Sequence, residues 1–288
     1  MRPVPLAVGE ARPLLAVIFA LHLAALAGYV AAWGFLARAF RSGGGLQESV
    51  GWWTAVGAVL VHTLGLAWFV ARYRTFPLVG LGPASSSLAL AIALLTLGAA
   101  VRQERRPTAL FVLPVVVVLT GLAVLVGLQP VLLQSTFRGP WFVLHVATVF
   151  VGCAGLILAS AAAAMYVLQF RALKRKRFGS VFRFFPSLDV LDRLNRLGLL
   201  VGFPGLTVGL IAGWSWTLTY GRGLALGDPQ VAFGVVTWLA YLVAIGVRMS
   251  PDWRGERAAF VSTGAFVVSV LTFLVLRVVI VGPESVFL

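Results

Sequence analysis

The chain has 288 residues, of which 60% are hydrophobic and only 11% are charged, and its mean hydropathy is +0.98. This composition excludes an ordinary soluble globular protein and indicates an integral membrane protein. The formal net charge of +14 is explained by basic loops that face anionic lipid, so we expect a lipid bilayer as the chain's surroundings and no nucleic acid among its partners.

Uncharged apolar stretches that are long enough to cross a bilayer recur eight times along the chain. A hydrocarbon core about 30 Å thick takes roughly 20 apolar residues as a helix. We therefore predict an all-α, polytopic membrane bundle of about eight transmembrane helices, which forms a single membrane domain over residues 1–288. The predicted spans cover approximately residues 13–36, 50–71, 79–101, 109–128, 140–168, 197–220, 230–248 and 257–281. The first stretch is longer than the apolar part of a signal peptide, so we expect it to be retained.

Lysine and arginine residues are unevenly divided between the loops. Of the 23 in the chain, 16 lie after the first, third, fifth and seventh spans. Short basic loops are held on the cytoplasmic side during insertion, so we predict that both termini lie outside. This orientation places the tryptophan-containing connection at residues 213–230 on the outer face.

The longest connection, residues 169–196, is basic and aromatic in its first part and amphipathic in its second. Ser187 is a candidate N-cap, and Leu188, Leu191 and Leu194 follow it at helical spacing. We expect a short amphipathic helix at the cytoplasmic interface. It either anchors the chain on the lipid surface or docks a cytoplasmic partner.

Small residues line one face of the sixth predicted span. The glycines that recur there are Gly198, Gly202, Gly205, Gly209 and Gly213. Glycines at this spacing let a second helix approach closely, because packing rather than hydrophobic burial drives helix association in lipid. A smooth glycine face also leaves room for a flat ligand, and both interpretations stay open at this point.

Several segments of the chain share a pattern with one family of membrane proteins. They are "GPWFVLHVATVFVG" at residues 139–152, Gly209, Gly213 and Trp214, Asp228-Pro229, Thr237-Trp238-Leu239, and "DWRGERAAFVSTGAF" at residues 252–266. Together they resemble the cytochrome c assembly family, which includes CcsA, CcmC and the HemX/YpjD branch and has an outward loop of the form "WGxxWxWDPKE". The loop tryptophans are reduced here to Trp214 and Trp216, and no histidine follows His145. The chain is therefore most similar to the HemX/YpjD branch.

This resemblance implies a haem site at the outer face, between the tryptophan turn and span five. His145 takes the place of an external histidine that binds haem iron in the family. The candidate residues of the haem site are His145, Trp214, Trp216, Asp228, His62, His22 and Arg277, with His145 as the candidate ligand of the iron.

Five of these candidates also have ordinary explanations. His145 is either the iron ligand or a neutral imidazole hydrogen-bonded to a neighbouring helix. His22 lies near mid-depth in span one and His62 somewhat past the middle of span two, and each is either part of the haem site or a neutral imidazole hydrogen-bonded to a neighbouring helix. Arg277 either snorkels to the interface or pairs with haem propionates. Asp228 either binds a ligand or begins a turn that caps span seven.

Most other chemistries lack the residues that they require. Cys153 is the single cysteine and lies within span five, which excludes a thiol-exchange motif, covalent haem attachment and a disulfide within the chain. We therefore expect a haem-handling protein of cytochrome c assembly, more an accessory than an enzyme, that works with other assembly membrane proteins in the bacterial inner membrane. The alternative is a HemX-like regulatory or scaffold protein of haem synthesis with no haem of its own.

Overall fold

The computed structural model describes residues 8–130, 140–176, 179–219, 229–250, 253 and 255–275. Nearly all of these residues are helical, and no strand occurs among them. The helices are α1 (Val8–Ser42), α2 (Leu46–Tyr73), α3 (Leu81–Ala99), a 3-10 helix (Gln103–Thr108), α4 (Ala109–Val126), α5 (Pro140–Lys174), α6 (Ser180–Phe184), α7 (Leu188–Thr219), α8 (Pro229–Met249) and α9 (Glu256–Val275).

The predicted fold class is confirmed. Within the described part of the chain, seven helical segments are long and apolar enough to cross a membrane, so the protein is a polytopic helical membrane bundle. These segments are Ala16–Ser42, Leu46–Tyr73, Leu81–Ala99, Glu104–Val126, Pro140–Lys174, Leu188–Trp216 and Val231–Met249. The predicted eighth span begins in α9 and continues to 281, beyond the described residues, so it stays a prediction.

Four of the predicted basic connections meet at one end of the bundle, which we call the basic end. Phe40, at the end of α1, contacts Phe184 of α6 with ring centroids 5.7 Å apart. Phe111 of α4 contacts the adjacent Phe185 at 5.5 Å. The start of α9 lies at the same end, because Glu256 forms an ion pair with Arg171, near the end of α5, at 3.8 Å. The arginines and lysines of these loops therefore share one end, as a single cytoplasmic face requires.

The segment before the sixth predicted span differs from the expectation. No separate amphipathic helix forms, because α7 begins at Leu188 and runs unbroken into the span. Ser187 caps α7 as predicted, since its hydroxyl accepts a 3.5 Å hydrogen bond from the Val190 N–H. Leu191 and Leu194 are at most 1% exposed and pack in the protein core, so anchoring of these two leucines on the lipid surface is wrong.

The other end of α7 also differs from the expectation. The helix continues to Thr219, so Trp214 and Trp216 lie on its last turns and not in a loop. The residues between 219 and 229 are outside the described part of the chain.

The glycine face of α7 is filled by α5, which runs antiparallel to it. A Cβ at Gly198 would lie 2.6 Å from the backbone nitrogen of Ala159, and one at Gly202 would lie 2.8 Å from that of Leu156. A Cβ at Gly155 of α5 would in turn come within 2.5 Å of the Gly202 nitrogen. Glycine is therefore required on both helices for their backbones to touch. Of the two interpretations of the glycine face, close helix packing is the one that the structure shows.

Candidate functional site

His145 lies on α5 at the end of the bundle opposite the basic end, and its imidazole rests on the glycine face of α7. A Cβ at Gly213 would come within 2.7 Å of Nδ1 of His145, so only glycine leaves room for the ring at that position. Nδ1 lies 2.7 Å from the carbonyl oxygen of Gly209. The packing of α5 on α7 thus fixes both the position and the tilt of the imidazole.

The hydrogen bond to Gly209 also fixes the tautomer of His145. A carbonyl oxygen can only accept, so Nδ1 must carry the proton and donate it. In the neutral ring, Nε2 then keeps an unprotonated lone pair. Nε2 makes no hydrogen bond to the described residues. Histidines that bind metals are typically arranged in this way, with one ring nitrogen anchored to a backbone carbonyl and the other directed to the metal.

Aromatic side chains lie next to His145 at the same end of the bundle. Phe142 is one turn before His145 on α5, and its ring centroid is 5.8 Å from that of Trp216 on α7. Trp214 lies two residues earlier on α7 and is 55% exposed. The structure therefore brings Trp216 towards the face that carries His145, while Trp214 is directed to the surface.

A second histidine cluster lies inside the bundle. His22 of α1 and His62 of α2 are both 0% exposed, and their ring centroids are 5.2 Å apart. Nε2 of His22 and Nε2 of His62 both hydrogen-bond the Ser86 hydroxyl of α3, at 2.9 and 2.8 Å. Nδ1 of His22 lies 2.8 Å from the Ile18 carbonyl, and Nδ1 of His62 lies 3.2 Å from the Tyr29 hydroxyl.

Each proton in this inner cluster can be assigned by working from the carbonyl of Ile18. Nδ1 of His22 must donate to that oxygen, so Nε2 of the neutral ring accepts from the Ser86 hydroxyl. The Ser86 oxygen then accepts from Nε2 of His62, whose Nδ1 accepts from Tyr29. Every ring nitrogen is satisfied with both histidines neutral, and this is the hydrogen-bonded interpretation predicted for His22 and His62. Binding of iron by either ring would require breaking one of these bonds.

Two candidate residues lie outside the described part of the chain, and three neighbours of the histidines were not predicted. Asp228 and Arg277 lie outside the described residues, and their proposed roles stay predictions. Sequence reasoning missed Phe142, Tyr29 and Ser86 as neighbours of the histidines. Phe142 sits three residues before His145, a helical spacing that would have placed it on the same face. Tyr29 and Ser86 carry no such signal, because their contacts join different helices.

His145 and its surroundings fit haem as a bound substrate. Imidazole nitrogen is a common axial donor to haem iron, and Nε2 has the required lone pair. Phe142 and Trp216 supply aromatic surface beside it, which suits a flat porphyrin. The inner cluster fits less well, since both nitrogens of each of its imidazoles are already bonded within the protein.

Comparison with known proteins places the chain within a family. The chain matches the family model described as Cytochrome C assembly protein over residues 81–283. This range includes His145, Trp214 and Trp216, whereas His22 and His62 precede it.

Curated relatives are similar to the chain at low identity. "Cytochrome c biogenesis protein CcsA" of Guillardia theta is 28% identical over 157 residues, which cover 49% of this chain and 52% of that protein. The protein of the same name from Prochlorococcus marinus is 29% identical over 174 residues, covering 53% and 56%. That from Heterosigma akashiwo is 24% identical over 252 residues, covering 75% and 78%. The chain spans about half the length of the first two relatives, and these matches do not confirm the predicted placement nearest the HemX/YpjD branch.

Proposed function

Because the chain belongs to the cytochrome c assembly protein family, we propose that it handles or presents haem during cytochrome c assembly. Haem binds at the end of the bundle opposite the basic end, and this end faces outwards from a bacterial inner membrane. Other membrane proteins of cytochrome c assembly are its partners. The observation that supports this function best is the hydrogen bond from Nδ1 of His145 to the Gly209 carbonyl, which leaves Nε2 available to iron.

His145 is the proposed iron ligand, and the glycines of α7 are its support. The Gly209 carbonyl holds the ring in the tautomer that binds a metal, and Gly213 leaves the space in which the ring lies. Bound haem supplies an iron centre that accepts a nitrogen donor.

The aromatic residues of this end form the proposed wall of the haem site. Phe142 and Trp216, whose ring centroids lie 5.8 Å apart, form the part of this wall next to His145, where they would limit the access of water to the iron ligand. Trp214 lies at the exposed rim, and Asp228 and Arg277 are proposed to complete the site.

The absorption spectrum of detergent-purified protein tests this function. Wild-type protein expressed in haem-replete cells should show a Soret band. His145→Ala should bind haem at least roughly 10–100-fold more weakly. Removal of a residue that only supports a metal ligand already costs this much, and here the ligand itself is removed. Added imidazole should restore part of the band, because it replaces the missing nitrogen donor.

Two further variants separate ligand loss from general damage. Leu144→Ala, one residue away on a side chain that is 41% exposed, should leave the Soret band unchanged. Gly213→Ala should weaken haem binding although it leaves His145 in place, because its Cβ would occupy the position next to Nδ1. A colourless wild-type preparation, or an unchanged Soret band in His145→Ala, would show that the assignment is wrong.

A further inference from the structure

A large cavity opens at the basic end, far along the bundle from His145. It has a volume of about 880 Å³ and lies between the first turns of α7, the last turn of α8 and the start of α9, with Tyr166 of α5 in its wall. Its charged lining residues are Asp189, Asp192, Arg196 and Arg248. The haem site proposed above uses none of these residues.

Among the described residues, the ion pairs around the cavity involve one of its two lining arginines and not the other. Arg248 of α8 reaches across to α7, where it pairs with Asp192 at 2.6 Å and donates to the Asn195 side-chain oxygen at 2.6 Å. Arg193 pairs with Asp189 on the outside of α7. Both lining carboxylates are therefore neutralised. Arg196 forms no ion pair with any described residue, so among the described residues the cavity lining keeps one uncompensated positive charge.

One other polar group of the wall can add a hydrogen bond to an anion. Nε of Arg248 has no hydrogen-bond partner within the described part of the chain, but it is buried and not exposed to the cavity. The hydroxyl of Tyr166 also makes no hydrogen bond to the described residues. The Tyr166 hydroxyl and the Arg196 guanidinium therefore remain as donors for an acceptor with several oxygens.

The rest of the cavity wall is apolar, and the cavity opens on the side of the bundle. Leu199 and Ile245 form its inner part, whereas Leu200 and Met249 stand at the rim and are 66% and 78% exposed. Because these helices span a membrane, side chains exposed on their outer faces near the helix ends lie at the depth of the lipid headgroups. The cavity thus combines a cationic end with an apolar opening towards lipid.

We infer that this cavity binds an anionic phospholipid from the leaflet at the basic end. Arg196 pairs with the phosphodiester, and the Tyr166 hydroxyl donates a further hydrogen bond to one of its oxygens. The glycerol and the first part of the acyl chains lie along Leu200 and Met249. The single net negative charge of such a lipid matches Arg196, the lining arginine that has no ion pair with a described residue.

Native mass spectrometry of the full chain in detergent tests this site, because it counts bound lipids. The protein is titrated with phosphatidylglycerol and, separately, with phosphatidylcholine, whose headgroup has no net charge. Wild type should bind the first phosphatidylglycerol roughly tenfold more tightly than phosphatidylcholine, as expected for a charge-assisted pair. Arg196→Gln should lose most of this preference.

Control variants separate the cavity from the general positive charge of this end. Arg175→Gln removes the same charge from an exposed residue directly after α5, outside the cavity, and should keep the preference. Tyr166→Phe changes no charge and should weaken phosphatidylglycerol binding about twofold to tenfold, the effect of one neutral hydrogen bond. If Arg196→Gln does not fold, Tyr166→Phe alone tests whether the lipid binds in the cavity.

Three results would overturn the inference. Equal losses in Arg196→Gln and Arg175→Gln would mean that lipid binds through diffuse surface charge. Displacement of the lipid by millimolar inorganic phosphate would mean that the cavity takes a free anion. An unchanged affinity for phosphatidylglycerol in Tyr166→Phe, or an unchanged preference in Arg196→Gln, would place the lipid elsewhere.

Discussion

Replacing Ser86 with alanine tests whether the inner histidine cluster holds α1, α2 and α3 together. In the wild type the Ser86 hydroxyl donates to Nε2 of His22 and accepts from Nε2 of His62, at 2.9 and 2.8 Å. Alanine removes both bonds and creates almost no cavity. One acceptor nitrogen and one donor nitrogen are then left in a region where both side chains are 0% exposed.

The expected loss of stability is the cost of the two unpaired nitrogens, reduced by any new hydrogen bond that they can form. A buried polar group left without its partner costs about 1–3 kcal/mol, and Ser86→Ala leaves two such groups. Hydrogen bonds between membrane helices are worth less on average, about 0.6 kcal/mol. The two rings are only 5.2 Å apart, so the N–H of His62 can turn towards Nε2 of His22 and recover part of the loss. We therefore expect a net loss of about 1–3 kcal/mol in the free energy of unfolding.

Unfolding by added sodium dodecyl sulfate in a mild detergent measures this loss. Ser87→Ala is the matched control, because its hydroxyl makes one hydrogen bond to the Pro77 carbonyl at 2.6 Å and touches neither histidine. It should cost about 1 kcal/mol or less. Equal stability of the Ser86→Ala and Ser87→Ala proteins would refute the view that the cluster joins the three helices.

Two further predictions concern packing and orientation. Gly209→Leu should destabilise the folded protein by about 1–3 kcal/mol or more through overpacking, and so lower the folded yield. A Cβ there would lie 2.6 Å from a methyl carbon of Val149. Val208→Leu, on a side chain that is 44% exposed, should change stability by less than about 0.5 kcal/mol, and equal tolerance at both positions would contradict the packing of α5 on α7. A reporter that is active only in the periplasm should be active when fused after Gly223 and inactive when fused after Lys176, and the reverse result would disprove the orientation.

The fold was predictable because membrane insertion depends on properties that a sequence displays directly. A span needs about 20 apolar residues, and its ends are marked by charge, so the number and order of the long helices follow from composition. The glycine face of α7 was predictable for a related reason. Residues three and four apart share one face of a helix, and small residues there indicate close packing.

The helix ends were less predictable, because hydrophobicity marks where lipid ends and not where a helix ends. The first turns of α7 are rich in charge, yet Leu191 and Leu194 bury themselves against neighbouring helices and keep the segment helical. At the other end, Trp214 and Trp216 are interfacial residues that sit equally well on a helix or in a loop. Only tertiary contacts decide between the two.

The histidines show most clearly what the sequence leaves open, because their roles depend on hydrogen bonds to residues far away in the chain. The three histidines carry six ring nitrogens, and five of these bond to carbonyl or hydroxyl groups of the protein. Nε2 of His145 is the sixth, and it has no hydrogen bond to the described residues. The depth of a histidine in a span predicts only that it needs a partner. The number of partners on each ring separates a histidine that joins helices from one that can accept a ligand, and it selects His145.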